Sequence, residues 1–143
     1  MLWEQKNDKR ENFVMVCGDR EFNAEVEEQW DLRLNPVHVE YVSGWKAACK
    51  LLESRAPAVI LLEEQTSGSD SGAEKVASER LQALVSLFAD HAPTIVVASA
   101  EQQADLRALL ACGKVDFVAR TAGCLTMAMA LVERRLRWNG GGR

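Results

Sequence analysis

The chain has no apolar run near the roughly 18 residues that a membrane-spanning helix needs. Its opening, Met1-Leu2-Trp3-Glu4-Gln5-Lys6, lacks the apolar core of a secretion signal. A cytoplasmic protein with no membrane partner is expected. Basic residues are not in excess either: 17 Lys and Arg stand against 21 Asp and Glu, giving a net charge of -4 and a pI near 5.3. Phosphate-backbone binding calls for clustered Lys and Arg, so nucleic acid is not the expected partner of this domain. Cysteine is sparse. Cys17, Cys49, Cys112 and Cys124 form no C-x-x-C pair, and His38 and His91 stand alone. That is not metal-ligand spacing, so small reduced core thiols, solvated histidines and no bound metal are expected. Phosphate-cradling motifs are missing as well. Gly68 and Gly72 lie in a polar stretch with neither G-x-G-x-x-G nor a Walker lysine, so no nucleotide cofactor is expected.

What the chain does have is alternation. Its 143 residues, 48% of them hydrophobic, suit one domain that buries a core without disulfides or metal. Residues 1–12 read as a polar arm, 13–138 as the folded domain and 139–143 as a flexible tail. Phe13 to Cys17 is an apolar strand. Phe22, Val26 and Trp30 then recur every fourth residue on one helix face. Val37, Val39 and Tyr41 alternate with polar residues as in an edge strand. A helix follows from Trp45 to Ser54, with Ala48, Leu51 and Leu52 inward. Ala58 to Leu62 is an uninterrupted branched run, as in a central parallel strand buried on both faces. Gln65 to Ala73 reads as a polar loop. Beyond it come a helix through Val76, Leu81, Val85 and Phe88, a strand Thr94 to Ala98, a helix Gln103 to Cys112, a strand Val115 to Ala119 and a helix Leu125 to Trp138. Five strands alternating with five helices predict a doubly wound α/β domain with helices on both faces of a parallel sheet.

Open α/β sheets place their ligands at the carboxyl ends of the strands. Three such ends carry Glu63, Ser99 and Arg120, a carboxylate, a hydroxyl and a cation. These are the parts of a phosphate-handling site, in altered form.

The order and local motifs resemble the receiver domains of two-component response regulators, of the chemotaxis-receiver, flavodoxin-like fold. Ala56-Pro57-Ala58-Val59-Ile60-Leu61-Leu62-Glu63 is similar to that family's third strand. Val39 to Ala48 is similar to its second strand and following helix, and Cys112 to Arg120 to the segment ending its fifth strand. The resemblance covers residues 13–137 and implies strand order 2-1-3-4-5. It places Glu63 at the phosphoacceptor position, usually Asp. Cys17 and Gly18 stand where an acidic pair would hold Mg²⁺, with Asp19 one residue late, and Arg120-Thr121 stand where Lys-Pro is usual. Ser99 and Phe117 fit the family's hydroxyl and switch-aromatic positions.

These departures set the functional expectation. Phosphoryl transfer depends on positioning and on a metal held in near-ideal octahedral oxygen geometry, which Cys17 and Gly18 do not supply. A carboxylate displaced by about an ångström can lose about a hundredfold in rate. The expectation is a pseudo-receiver: a signalling interaction module, not an enzyme, in which Glu63 either presents a constant charge toward Arg120 and Ser99 or is a solvated strand-end acid beside Glu64. The resemblance implies a protein partner on the last two helices and last strand, with Trp138 and Met127 as candidate apolar contacts, Met127 being equally a candidate for the core, and a homodimer is also open. Three rivals stay open: a working receiver with an atypical acceptor built from Asp19, Glu63 or Glu64; the regulatory domain of a transcriptional or other output regulator; and a small-ligand module whose crevice is floored by Cys17, Gly18 and Ser99. Asp19 with Glu64 as a cation pair, and the basic run Arg134-Arg135-Leu136-Arg137 as a nucleic-acid patch, are weaker readings than helix-dipole compensation and solvated surface.

Overall fold

The computed structural model describes residues 12–64 and 71–141, with side chains described for 12–64 and 79–137. Residues 1–11 of the expected arm, 65–70 of the expected loop, Arg143 with Gly142, and the Trp138 side chain lie outside the described residues. In chain order the elements are β1 (Phe13–Cys17), α1 (Arg20–Arg33), β2 (His38–Val42), α2 (Trp45–Ser54), β3 (Val59–Glu63) and α3 (Ser71–His91). Then come β4 (Thr94–Ala98), a 3-10 segment (Ala100–Leu106) leading into α4 (Arg107–Ala111), β5 (Val115–Ala119) and α5 (Cys124–Gly141). The strands pair in parallel in the order β2-β1-β3-β4-β5, the doubly wound sheet that the alternation predicts in the flavodoxin-like order that the resemblance implies.

β3 is central, and both of its faces are sealed. Val59 and Leu61 pack with Phe22, Val26 and Trp30 of α1 and with Met129 and Val132 of α5. Ile60 and Leu62 pack with Leu52 of α2 and with Leu81, Val85 and Phe88 of α3. Double burial is why this strand reads as a continuous apolar run. Removing the Leu61 side chain, which is fully buried, would cost about 2–5 kcal/mol. β2 is an edge strand and only half buried, which is why its sequence alternates.

α1 starts where Asp19 caps it, its side-chain oxygen accepting the Phe22 N–H at 2.7 Å. It stops at Leu34, which takes the left-handed conformation at φ 56° and is 88% exposed. Asn35-Pro36 prevents continuation, and the chain is held there by hydrogen bonds. Asn35 Oδ1 accepts the Val37 N–H, and Arg33 and Asn35 both donate to Glu133 of α5. The Trp30 indole N–H donates to the Val37 carbonyl, tying the helix to the start of β2.

Several boundaries differ from the sequence expectation. Ser71, Gly72 and Ala73 are the first turn of α3, not loop: Ser is favoured at helix starts and Ala within helices. The segment expected as one helix from Gln103 begins earlier, as 3-10 from Ala100. Ser99-x-x-Gln102 forms a capping box there, and tight i→i+3 bonding is common at such ends. α5 continues through Asn139 to Gly141, where a tail was expected. Cys112 is exposed, contrary to the expected core thiol, because it lies in the turn after α4. Cys17 is buried, Cys49 and Cys124 are intermediate, and all four thiols are free. His38 and His91 are exposed. Among the described residues no helix is long and apolar enough to cross a membrane.

The Leu34 conformation generates a stability prediction. A non-glycine residue there carries a left-handed penalty of about 1 kcal/mol, and an exposed side chain returns little packing. Leu34→Gly is therefore expected to raise unfolding free energy by about 1 kcal/mol in urea titration; a loss of stability would show that the leucine side chain is structural.

Candidate functional site

The carboxyl ends of β1, β3 and β5 meet at one carboxylate. Glu63 continues the ladder one residue beyond the Cys17–Leu62 pairing, which carries its side chain toward the β1–α1 turn. The residue is 5% exposed, so the solvated strand-end acid is not what the fold builds. Its Oε1 accepts the Asp19 backbone N–H at 3.0 Å. Its Oε2 accepts from Arg120 Nη1 at 2.8 Å. The second Arg120 nitrogen, Nη2, donates to the Glu64 backbone carbonyl. The guanidinium is thus shared between a carboxylate and a carbonyl, and it reaches across the width of β4 to join β5 to β3.

Gly18 makes this seat possible. A Cβ there would lie 2.9 Å from Glu63 Oε1 and 2.4 Å from the Phe22 ring. The absence of a side chain at position 18 and the extra methylene at position 63 therefore fit one space. Asn23, buried in α1, holds the neighbouring backbone by donating to the Gly18 and Val42 carbonyls, both at 3.1 Å.

The other expected site residues fall as follows. Asp19 contributes its N–H to Glu63 and uses one carboxylate oxygen to cap α1. Glu64 is buried, 2% exposed, with its N–H donated to the Val97 carbonyl. Ser99 is not turned to Glu63 or Arg120: its hydroxyl and its N–H both donate to Gln102 Oε1, at 3.0 and 3.2 Å. Gln102 is a residue the sequence reading missed, although the Ser-x-x-Gln spacing carries the signal. Phe117 is half buried against the core formed by α2, α3 and their neighbours. Arg120 is 42% exposed on its side chain, at the mouth of the seat. Beside it lies a groove of about 360 Å³ walled by Asp19, Glu21, Glu25, Glu63, Arg120 and Leu125 among others; Cys17, Gly18 and Ser99 are not in its lining. A crevice floored by those three residues is therefore not what this groove provides, since the Glu63 side chain covers the β1 end.

The residues present do not fit Mg²⁺. Gly18 has no side-chain ligand atom and its carbonyl accepts from Asn23, the Cys17 thiol donates to the Gly44 carbonyl, and one Asp19 carboxylate oxygen is engaged as a cap. Among the described residues no group of three or more His, Cys, Asp or Glu is arranged to hold a metal ion.

No family model and no curated protein sequence matches the chain. Its fold is similar to that in the crystal structure of adenylate cyclase from Rhodopirellula baltica, with a TM-score of 0.59 over 92% of this chain and 95% of that one, at 9% identity. At that identity the likeness carries the fold alone. A flavodoxin-like α/β sheet of this order is compatible with a receiver-like signalling module.

Burial pushes the Cys17 thiol from its ordinary 9.0 up to about 12, with Cys49 and the Glu63 charge adding to the effect. The unfolded chain releases this proton first, so stability present below pH 9.0 is lost as pH rises toward about 12. Unfolding free energy is expected to fall across that window, and Cys17→Ala is expected to flatten the fall. An unchanged slope in Cys17→Ala would contradict the assignment. Tyr41, raised to about 12 by burial and then by Glu27 and Asp31, accounts for a residual slope in the same direction.

Proposed function

We propose that this chain is a receiver-like protein-interaction module of two-component type that acts without phosphorylation and catalyses no reaction of its own. The observation that carries this reading is the seating of Glu63 between the Asp19 N–H and the Arg120 guanidinium. A carboxylate held by a backbone N–H and a guanidinium is a poor phosphoryl acceptor, because these bonds fix its orientation and hold its charge, and the acidic pair that would place a metal is missing from the end of β1. The same arrangement supplies a constant negative charge held against a cation. Charge-assisted bonds of this kind are stronger than neutral ones, and the site needs no phosphoryl group to hold Arg120 in place.

The consequence would be read on the face made by α4, β5 and α5. Arg120 directly follows β5 and leads into the turn before α5, so its anchoring would bear on the start of that helix. Met127 on α5 is 59% exposed, which supports its role as a contact and not as core. Arg135 bonds Asp116 and the Gly113 carbonyl, bracing α5 against β5 at its far end. A cytoplasmic setting and a protein partner suit this reading.

Titration with Mg²⁺ and beryllofluoride is the direct test. No change is expected in tryptophan fluorescence or in thermal midpoint. Saturable binding at millimolar metal would favour a working acceptor with an atypical site, and a thermal shift with nucleotides or metabolites in place of beryllofluoride would favour a small-ligand module. Glu63→Asp is expected to remain unresponsive too, since the shorter acid restores neither Cys17 nor Gly18 as a metal ligand.

A further inference from the structure

α1 and α5 lie side by side on one face of the sheet, and each presents an unpaired charged stripe to solvent. On α1, Glu21, Glu25, Glu28 and Leu32 follow at helical spacing and all are exposed. On α5, Met127, Ala130, Arg134 and Arg137 do the same. The intervening charges are used internally: Glu133 pairs with Arg33 and Arg135 with Asp116. Among the described residues Glu21, Glu25, Glu28, Arg134 and Arg137 have no ion-pair partner.

The two stripes run in opposite senses. The α1 stripe goes from acids to a leucine that is 75% exposed, and the α5 stripe goes from an exposed methionine to arginines. Their lengths also match. At about 1.5 Å per residue, Glu21 to Leu32 spans about 17 Å and Met127 to Arg137 about 15 Å. The acidic stripe borders a groove, since two cavities of about 360 and 330 Å³ adjoin through Glu25, Cys124 and Leu125.

We propose that a second copy of this chain docks in that groove, its α5 antiparallel to α1. Arg134 and Arg137 of the second copy meet Glu21, Glu25 and Glu28, while its Met127 covers Leu32. The antiparallel sense also opposes the two helix dipoles favourably. The contact is heterologous, one copy's α1 against another's α5, so it leaves a free α1 and a free α5 at the two ends and permits chains or rings. Exposed ion pairs are individually weak, so the association is weak and sensitive to salt.

Sedimentation velocity on the full chain tests it. Concentration-dependent association is expected at about 0.1 M salt and should fade at about 1 M, where the screening length drops from about 10 to about 3 Å. Glu25→Lys/Glu28→Lys and Arg134→Glu/Arg137→Glu are each expected to associate about tenfold more weakly or not at all, with unchanged circular dichroism. Mixed together, the two variants should associate again, because the intact acidic stripe of one meets the intact basic stripe of the other. A wild-type chain that stays monomeric, a variant that self-associates like wild type, or a mixture that stays apart would each overturn the proposal.

Discussion

The site depends on one shared guanidinium. Arg120 holds the Glu63 carboxylate with one nitrogen and the Glu64 carbonyl with the other, joining the ends of β5 and β3 across β4. Neighbouring parallel strands lie about 4.8 Å apart, so the bridge covers about 10 Å, a distance that suits the long arginine stem. The partner that completes the seat is a backbone N–H, that of Asp19, whose side chain at the same time opens α1. Helix start, central strand and edge strand are therefore coupled through a few atoms.

The three residues at which the sequence differs from the receiver pattern it resembles, Gly18, Glu63 and Arg120, lie together in this arrangement. A longer acid at position 63 needs room, and Gly18 gives it. Arginine in place of lysine can bind two acceptors at once, which a point-like ammonium does with less geometric definition. With the carboxylate seated, the Ser99 hydroxyl is free to serve the 3-10 segment through Gln102.

Much of the architecture was legible in the residues. The unbroken run ending at Leu62 marks a doubly buried strand, and Phe22, Val26 and Trp30 mark the inward face of α1, because burial imposes period and composition on sequence. The approach of Glu63 to Arg120 was legible too, since strand order brings their strand ends near one another. Other features left no such trace. Nothing in the residues around Glu64 announces its burial, which depends on the tertiary cover of the β3 end. The left-handed Leu34 has only Asn35-Pro36 as a signal, and the true bonding of Ser99 was hidden by reading it as a family position when its local Ser-x-x-Gln pattern named a cap. Short-range chemistry and tertiary placement compete for the same side chain, and sequence shows the first more readily than the second.

The central claim is that Glu63 and Arg120 act as one unit. A double-mutant cycle with Glu63→Gln and Arg120→Gln, read by urea unfolding, measures that directly. Arg120 is partly exposed, so solvent screening keeps the expected coupling to about 1 kcal/mol, above that of typical exposed pairs because the carboxylate is buried. Single-variant losses that simply add, to within about 0.3 kcal/mol, would mean the two side chains do not cooperate and would contradict the account.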